Sequence, residues 1–356
     1  MNVGLTLYGR LDERSGGFRY DRRLVEGLRA AGDDVEVIEL PWRAYPRGLL
    51  DNVSGRWRSR LDADVDVMLQ DELAHPSLVR TNRRLEYPVV SVVHHLRSSE
   101  RRRLGTLYRH VETRYLETVD GVVCNSRATR DAVLDTGAIA PEQAAVAPPG
   151  GDRFDPEIGP AEIRSRAERG PLGLVFVGNV TPRKGLTTLV SGVADVDADW
   201  ELTVVGRPVD RRYEQRARRL ARKEGVADRV TFAGEVPDEE LATILRSGHA
   251  LAVPSRYEGF GIVYLEAMSF GLPVVATTAG GATELVDHGE TGFLVDPDDP
   301  RAVADAVRRF ADRDRLAEMG VAARRRYERH PGWDESVGRV RRHLQDLLAE
   351  RAGGCT

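Results

Sequence analysis

Lysine is almost absent from this 356-residue chain: it occurs only at positions 184 and 223, and the remaining Lys/Arg positions are all arginine. Cysteine is equally scarce, with Cys124 and Cys355 alone. That excludes a disulfide framework and a cysteine-based metal centre, and it fits a reducing cytoplasm. No apolar run approaches the roughly 18–20 residues that a membrane-spanning helix needs. The opening run "NVGLTLYG" is followed at once by acidic residues and has no small-residue cleavage site, so it reads as a first strand, not a signal peptide. A formal net charge of -4 gives no global attraction to nucleic acid. With 41% hydrophobic and 30% charged residues, the composition is that of a globular protein rather than a disordered one.

What the chain does have is a rhythm. "NVGLTLYG", "DVEVIEL", "VDVMLQ", "YPVVSVVHH" and "DGVVCNS" are short β-branched runs separated by amphipathic stretches such as "YDRRLVEGLRAAGD". Near-continuous apolar strands flanked by helices imply a parallel sheet covered on both faces. A stretch rich in proline, glycine and charge, "APPGGDRFDPEIGPAEIRSRAERGP", reads as a linker and puts a domain boundary near 155–170. The alternation then restarts with "LGLVFVGNV", "WELTVVG", "RVTFAG", "HALAVPS", "LPVVAT", "ELVDHG" and "TGFLVDP". Two such blocks predict an α/β protein of two doubly wound Rossmann-like domains facing a central cleft. Ligands of such sheets bind beyond the carboxyl ends of the strands, and every candidate below lies at such an end.

Five loops carry candidate chemistry. Gly16 and Gly17 follow the first strand, where paired glycines either let backbone amides approach a phosphate or sugar or simply make a flexible turn. His94 and His95 end the strand "VVSVVHH"; no acidic or cysteine partner lies at metal-ligand spacing, which leaves a hydroxyl contact or a structural role. In "LVFVGNVTPRKGLTTL" a buried strand delivers Arg183 and Lys184 just before a helix, two adjacent cations suited to a diphosphate. In "VPSRYEGFGIVYLEAMSFG" the loop residues Glu258, Gly259, Phe260 and Gly261 precede a helix that contains Glu266. Glycines there free amides for an anion, and a carboxylate accepts hydrogen bonds from paired sugar or ribose hydroxyls. Gly280, Gly281 and Glu284 offer a further glycine-rich turn at the next strand end.

At this point the chain resembles family 4 of the retaining glycosyltransferases, enzymes of the GT-B fold. "PSRYEGFGIVYLEAMSFGLPVVAT" matches that family's E-x7-E signature, and "VFVGNVTPRKGLTTL" its Lys-Gly segment. "VTFAGEVPDEELATIL", "VVCNSRATRDAV", "VAPPGGDRFDP" and "GWDESVGRVRRHLQDLL" resemble further family segments, so the likeness spans nearly the whole chain. The resemblance implies an acceptor-side domain of residues 1–165, a donor-binding domain of 166–332, and a C-terminal helix near 333–350 packing back onto the first. It implies that Arg183 and Lys184 grip the diphosphate of a UDP- or GDP-linked sugar, that Glu258 acts at the transferred sugar with Gly259, Phe260 and Gly261 beside it, and that Glu266 holds the ribose. Val236 would touch the base, His94 the donor sugar, and Gly16–Gly17 donor and acceptor. Two positions depart from the family pattern: Asn179 stands where an arginine is common, and His94–His95 where His-Asp is usual.

The implied reaction is retaining transfer of a sugar from a nucleotide-diphosphate sugar to a hydroxyl acceptor on a glycan, glycolipid or small molecule. It would run without metal or resident cofactor, since cations and helix amides supply the positive charge. The alternative of another class is a GT-B-fold protein that binds nucleotide-sugar or glycan with little or no transferase activity. Arg101, Arg102, Arg103, Arg109 and Arg114 in the stretch near 100–115 raise a second expectation, peripheral contact with the inner face of the cell membrane and a lipid-linked acceptor.

Overall fold

The seven residues of the first strand, Asn2–Tyr8, are buried from Val3 onward on both faces, whereas the second, Asp34–Leu40, alternates buried and exposed positions. The first therefore runs inside a sheet, and the second lies at its edge. In the computed structural model, which describes residues 1–13, 15–54, 56–100 and 104–353, this pattern builds two separate parallel sheets.

The first sheet uses β1 (Asn2–Tyr8), β2 (Asp34–Leu40), β3 (Val67–Asp71), β4 (Val89–Val93), β5 (Gly121–Cys124) and β6 (Ala144–Val146), in the order β2-β1-β3-β4-β5-β6. Its helices are α1 (Gly16–Ala30), α2 (Tyr45–Ser54), α3 (His75–Asn82), α4 (Gly105–Leu116) and α5 (Arg127–Leu134). The second sheet uses β7 (Leu172–Val177), β8 (Trp200–Val205), β9 (Val230–Gly234), β10 (Ala250–Ala252), β11 (Val274–Thr277) and β12 (Gly292–Val295), ordered β12-β11-β10-β7-β8-β9. Around it lie α6 (Pro160–Ala167), α7 (Leu186–Ala194), α8 (Arg211–Lys223), α9 (Asp238–Ser247), α10 (Ile262–Ser269), α11 (Pro300–Phe310) and α12 (Arg313–Glu328). The last helix, α13 (Trp333–Gly353), belongs to the first unit, where Val337, Val340 and Leu344 join a core with Leu24, Val25 and Leu28 of α1.

The compact units are Met1–Gly150 with the chain from Pro331, and Gly151–His330. The break thus falls earlier than the linker composition suggests, because residues 151–165 pack onto the second unit. Phe154 lies in its core with its ring 5.4 Å from that of Phe270. Ile158 and Ile163 close on Val321, and the Arg166 guanidinium donates to the carbonyls of Phe270 and Gly271 at 2.9 and 2.8 Å. "ELVDHG" is likewise not a strand: a short 3-10 turn, Gly281–Glu284, precedes it, and Asp287 N donates to the Thr291 hydroxyl in a tight loop. Arg101, Arg102, Arg103 and Cys355 lie outside the described residues.

Each sheet has one place where neighbouring strands send their connections to opposite sides: between β1 and β3 in the first, between β7 and β10 in the second. A crevice opens there at the carboxyl ends. One glycine is essential to the second crevice. Gly185 has φ 72, and a Cβ on it would lie 2.0 Å from the Pro254 carbonyl, so only glycine lets the loop after β7 approach the loop after β10. Gly185→Ala is expected to destabilise the protein by roughly 2–4 kcal/mol, from backbone strain plus the clash. Urea denaturation of the variant checks this; a change below about 0.5 kcal/mol, the size typical of an unconstrained surface position, contradicts it.

Candidate active site

In the second unit the loop after β7 brings Arg183 and Lys184 to the loop after β10. Three donors converge on one carboxylate oxygen, Glu258 Oε1: Lys184 Nζ at 2.6 Å, Ser255 Oγ at 2.7 Å and Arg183 Nη1 at 3.2 Å. The loops are also tied through their backbones, with Arg256 N donating to Arg183 O at 2.7 Å and Arg183 Nη1 to Tyr257 O at 2.9 Å. Glu258 N in turn donates to Ala279 O, and Gly281 N to Glu258 O, which straps the glutamate onto the loop after β11. Gly280 permits that contact: its φ is 95, and a Cβ would meet the Glu258 carbonyl at 2.0 Å.

Burial would raise the Glu258 carboxyl, but Lys184 and then Arg183 outweigh it and hold it down at about 2. Burial lowers the Lys184 ammonium from its ordinary value, with Glu258 opposing and Arg183 reinforcing the effect. The glutamate is therefore firmly ionised, and the cluster keeps a surplus of positive charge.

Glu266 lies on α10, 4% exposed, and sequence reasoning missed its partner. Arg153 reaches it at 3.2 Å (Nη1 to Oε2) and spans to Asp238 Oδ1 at 2.7 Å through Nη2, while its guanidinium lies 5.0 Å over the Phe154 ring. Asp238 opens α9 two residues after the buried Val236, so Arg153 links the expected ribose carboxylate to the expected base loop. Phe260 is buried, with its ring 5.6 Å from that of His330, so what it offers a ligand is backbone rather than ring. Gly261 has φ 92 and opens α10 without a side-chain cap. Asn179 is half-buried beside Gly178 at the end of β7.

The first unit gathers a different set. His94 Nε2 lies 3.2 Å from Asp21 Oδ1 on α1, and Gly17 is so close that a Cβ there would sit 3.1 Å from His94 Cδ2. His94 N donates to Glu72 Oε2 at 3.1 Å, and Asn125 Nδ2 to His94 O at 2.8 Å. His95 turns to Glu100 at 3.0 Å instead, so the two histidines have separate settings. The expectation that His94 has no acidic partner is thus corrected: the partners come from α1 and β3 rather than from its own loop. One ligating atom each from Asp21, Asp71 and His94 lie within 4.8 Å of one another, a grouping that could hold a metal ion.

The same acids also make His94 a strong base. Burial alone would lower the His94 imidazole, but Asp21 first, then Asp71 and Glu72, push it up to about 10. Asp71 is raised to about 7 by burial and then by Asp21, and Glu72 is raised well above its ordinary value by burial and then by Asp71. The raised His94 value stabilises the fold fully below pH 6.5 and loses that contribution as pH rises through about 10. Asp21→Asn is expected to destabilise the protein most below pH 6.5, with the difference from wild type shrinking toward pH 10. Denaturation across this pH range tests it, together with NMR titration of the His94 ring; an unmoved ring titration in the variant contradicts the pairing.

Comparison with known proteins gives the family. The family described as "Glycosyltransferase Family 4" matches residues 14–153, and "Glycosyl transferases group 1" matches 162–326. The GDP-mannose-dependent alpha-(1-6)-phosphatidylinositol monomannoside mannosyltransferase of Mycobacterium tuberculosis (strain CDC 1551 / Oshkosh) is 38% identical over 220 residues, 57% of this chain and 56% of that one. The D-inositol 3-phosphate glycosyltransferase of Acidothermus cellulolyticus is 33% identical over 264 residues, 69% of this chain and 57% of that one. The chain therefore spans between half and two thirds of the length of these relatives. Among solved structures, sucrose-phosphate synthase from Thermosynechococcus elongatus superposes with a TM-score of 0.82 at 23% identity, covering 98% of this chain and 99% of that one. Anabaena HepE in complex with UDP-glucose superposes at 0.75 and 19% identity, covering 99% and 100%. These neighbours share the GT-B fold of two Rossmann-like domains, and the chain belongs to glycosyltransferase family 4.

Proposed function

We propose that the protein is a retaining glycosyltransferase that moves a sugar from a UDP- or GDP-linked donor to a hydroxyl acceptor. The observation that carries this reading is the convergence of Lys184, Arg183 and Ser255 on Glu258 at the crevice of the second sheet. In it, Lys184 and Arg183 meet the diphosphate, whose charge grows as the glycosidic bond breaks. Preorganised cations and the amides at the start of α10 stabilise that charge without reorganisation. Glu258, kept ionised by the same cations, accepts from hydroxyls of the transferred sugar, and its charge favours an oxocarbenium-like centre. Glu266 accepts from the ribose hydroxyls, with Arg153 fixing its orientation. Val236 lies against the base, and His94, carrying its proton, donates to a sugar oxygen. This division needs no metal at the diphosphate. The alternative, a binding protein without transferase activity, gains nothing from the comparisons.

The acceptor is proposed to be lipid-linked or inositol-based, since both relatives described above carry inositol in the names of their acceptors. Exposed apolar side chains on the first unit support contact with a lipid surface: Leu50 and Val53 on α2, and Leu104 and Leu107 at the start of α4. The two helices meet through Tyr45 and Tyr108, whose ring centroids are 4.9 Å apart, with Arg97 over both rings. Of the expected basic stretch, Arg109 is bound to the Asp135 carbonyl and Arg114 pairs with Glu117, so any lipid contact rests on the apolar residues. No helix among the described residues is long and apolar enough to cross a membrane.

A thermal-shift screen with UDP, GDP and their sugar conjugates identifies the donor, and transfer is then followed with phosphatidylinositol and inositol phosphate acceptors. Lys184→Ala is expected to lower turnover by roughly 100-fold or more, the scale of losing one preorganised charge donor. Glu266→Ala is expected to weaken nucleotide binding at least about tenfold, roughly one hydrogen bond to a charged group. Arg153→Met should raise the donor KM more than it lowers kcat. Unchanged turnover in both Lys184→Ala and Glu266→Ala would overturn the reading.

A further inference from the structure

The second lysine lies in a site that the donor chemistry does not use. Between α7 and α8 a cleft of about 500 Å3 is lined by Arg216, Arg219 and Lys223 of α8, by Arg256, and by the hydroxyls of Thr188 and Ser191 of α7. The acid on its wall, Asp298, is already paired with Arg256 at 2.8 Å. Among the described residues, Arg216 and Arg219 make no hydrogen bond or ion pair, and Lys223 has only the exposed, 3.5 Å contact with Glu224. The helix acid Glu214 is held by Arg218 at 2.8 Å and contributes nothing to the cleft.

The spacing makes this more than a solvated basic surface. Positions 216, 219 and 223 fall three and four apart, and Arg212 continues the row one turn earlier, so like charges stack along one helix face. Such a row weakens an isolated helix unless something neutralises it. Across the cleft, α7 presents Thr188 and Ser191 rather than carboxylates, and the one lining acid, Asp298, is taken by Arg256, so the three α8 cations have no lining acid of their own. The helices are held at this distance by the Tyr213 hydroxyl, which accepts from Thr187 N at 3.0 Å, so the concavity is built rather than incidental.

From this geometry we infer that the cleft binds a multiply charged phosphate anion, at a site distinct from the proposed diphosphate seat. Guanidinium forks and an ammonium take the phosphate oxygens, and the hydroxyls complete their hydrogen bonds. The site lies behind the donor loops: α7 begins directly after Lys184 and Gly185, and Arg256 stands two residues before Glu258 with its N–H on the Arg183 carbonyl. Anion binding here therefore bears on the loops that hold Lys184 and Glu258, and the site goes beyond the transfer reaction proposed above.

The test uses tripolyphosphate as the soluble probe and phosphatidylcholine vesicles carrying phosphatidylinositol 4-phosphate, with pure phosphatidylcholine vesicles as control, as the lipid probe. Wild type, Lys184→Ala and the triple variant Arg216→Gln/Arg219→Gln/Lys223→Gln, made alone and on Lys184→Ala, are compared by thermal shift and by co-sedimentation. With the donor seat weakened, Lys184→Ala is still expected to be stabilised by tripolyphosphate, and adding the three glutamines to Lys184→Ala is expected to weaken that binding at least tenfold. The triple variant should keep its far-UV circular dichroism and, without anion, melt no lower than wild type, because the charge repulsion is gone. Should the triple variant misfold, Arg219→Gln alone carries the same comparison. Vesicle pelleting that is lost with the thermal shift assigns the anion to a lipid headgroup; a shift without pelleting assigns it to a soluble phosphate compound. An equal response in Lys184→Ala with and without the three glutamines, a response lost in Lys184→Ala but kept in the triple variant, or no response to either probe would overturn the site.

Discussion

The ion pair between Lys184 and Glu258 is the interaction on which the second unit's crevice depends. It joins two loops that are 74 residues apart in sequence and adjacent in space because β7 and β10 are neighbours in the sheet. A buried pair of this kind adds little net stability, since desolvation consumes most of the Coulomb attraction, while loss of one partner strands the other. Its value lies in fixing position. Ser255 and Arg183 add donors to the same oxygen, and Gly185 and Gly280 remove the side chains that would hold the loops apart. The result is a carboxylate held ionised at neutral pH, next to cations able to meet a further anion.

The two units use one topological rule with opposite electrostatics. In the second, two cations surround one carboxylate, so the surplus is positive. In the first, Asp21, Asp71 and Glu72 crowd one histidine, and the surplus is negative until protons are taken up. Both carboxylate sets are largely buried, so solvent screens either imbalance only weakly. The second unit keeps its surplus; the first resolves its own by protonation, raising His94, Asp71 and Glu72 together. His94 is thereby held as a donor at neutral pH, a state that an isolated imidazole does not keep.

Much of this was legible in the sequence where function sits within a few residues of a strand end. Arg183, Lys184, Glu258 and Glu266 could be read because each lies in or just after a loop whose glycines announce the turn. Arg153 could not, since its partner Glu266 is 113 residues away and arginine is common throughout this chain. Asp21 was hidden likewise: it is 73 residues from His94, inside an amphipathic helix where an aspartate reads as a surface residue. The unit boundary was misplaced for a related reason. Proline, glycine and charge mark a segment without regular structure, but whether that segment packs is decided by single apolar anchors such as Phe154 and Ile163.

Arg153 also sharpens how the second unit distributes charge along a bound donor. Cations predominate at Lys184 and Arg183, where the proposed diphosphate lies. Carboxylates predominate at Glu266 and Asp238, where the proposed ribose lies, and Arg153 neutralises only one of their two charges. A ribose needs acceptors rather than anions, so full neutralisation there would weaken the hydrogen bonds and no neutralisation would repel the neighbouring phosphates. One arginine shared between two carboxylates gives the intermediate condition. It also couples the start of α9 to α10, so that the proposed base loop and the proposed ribose carboxylate are set by the same guanidinium.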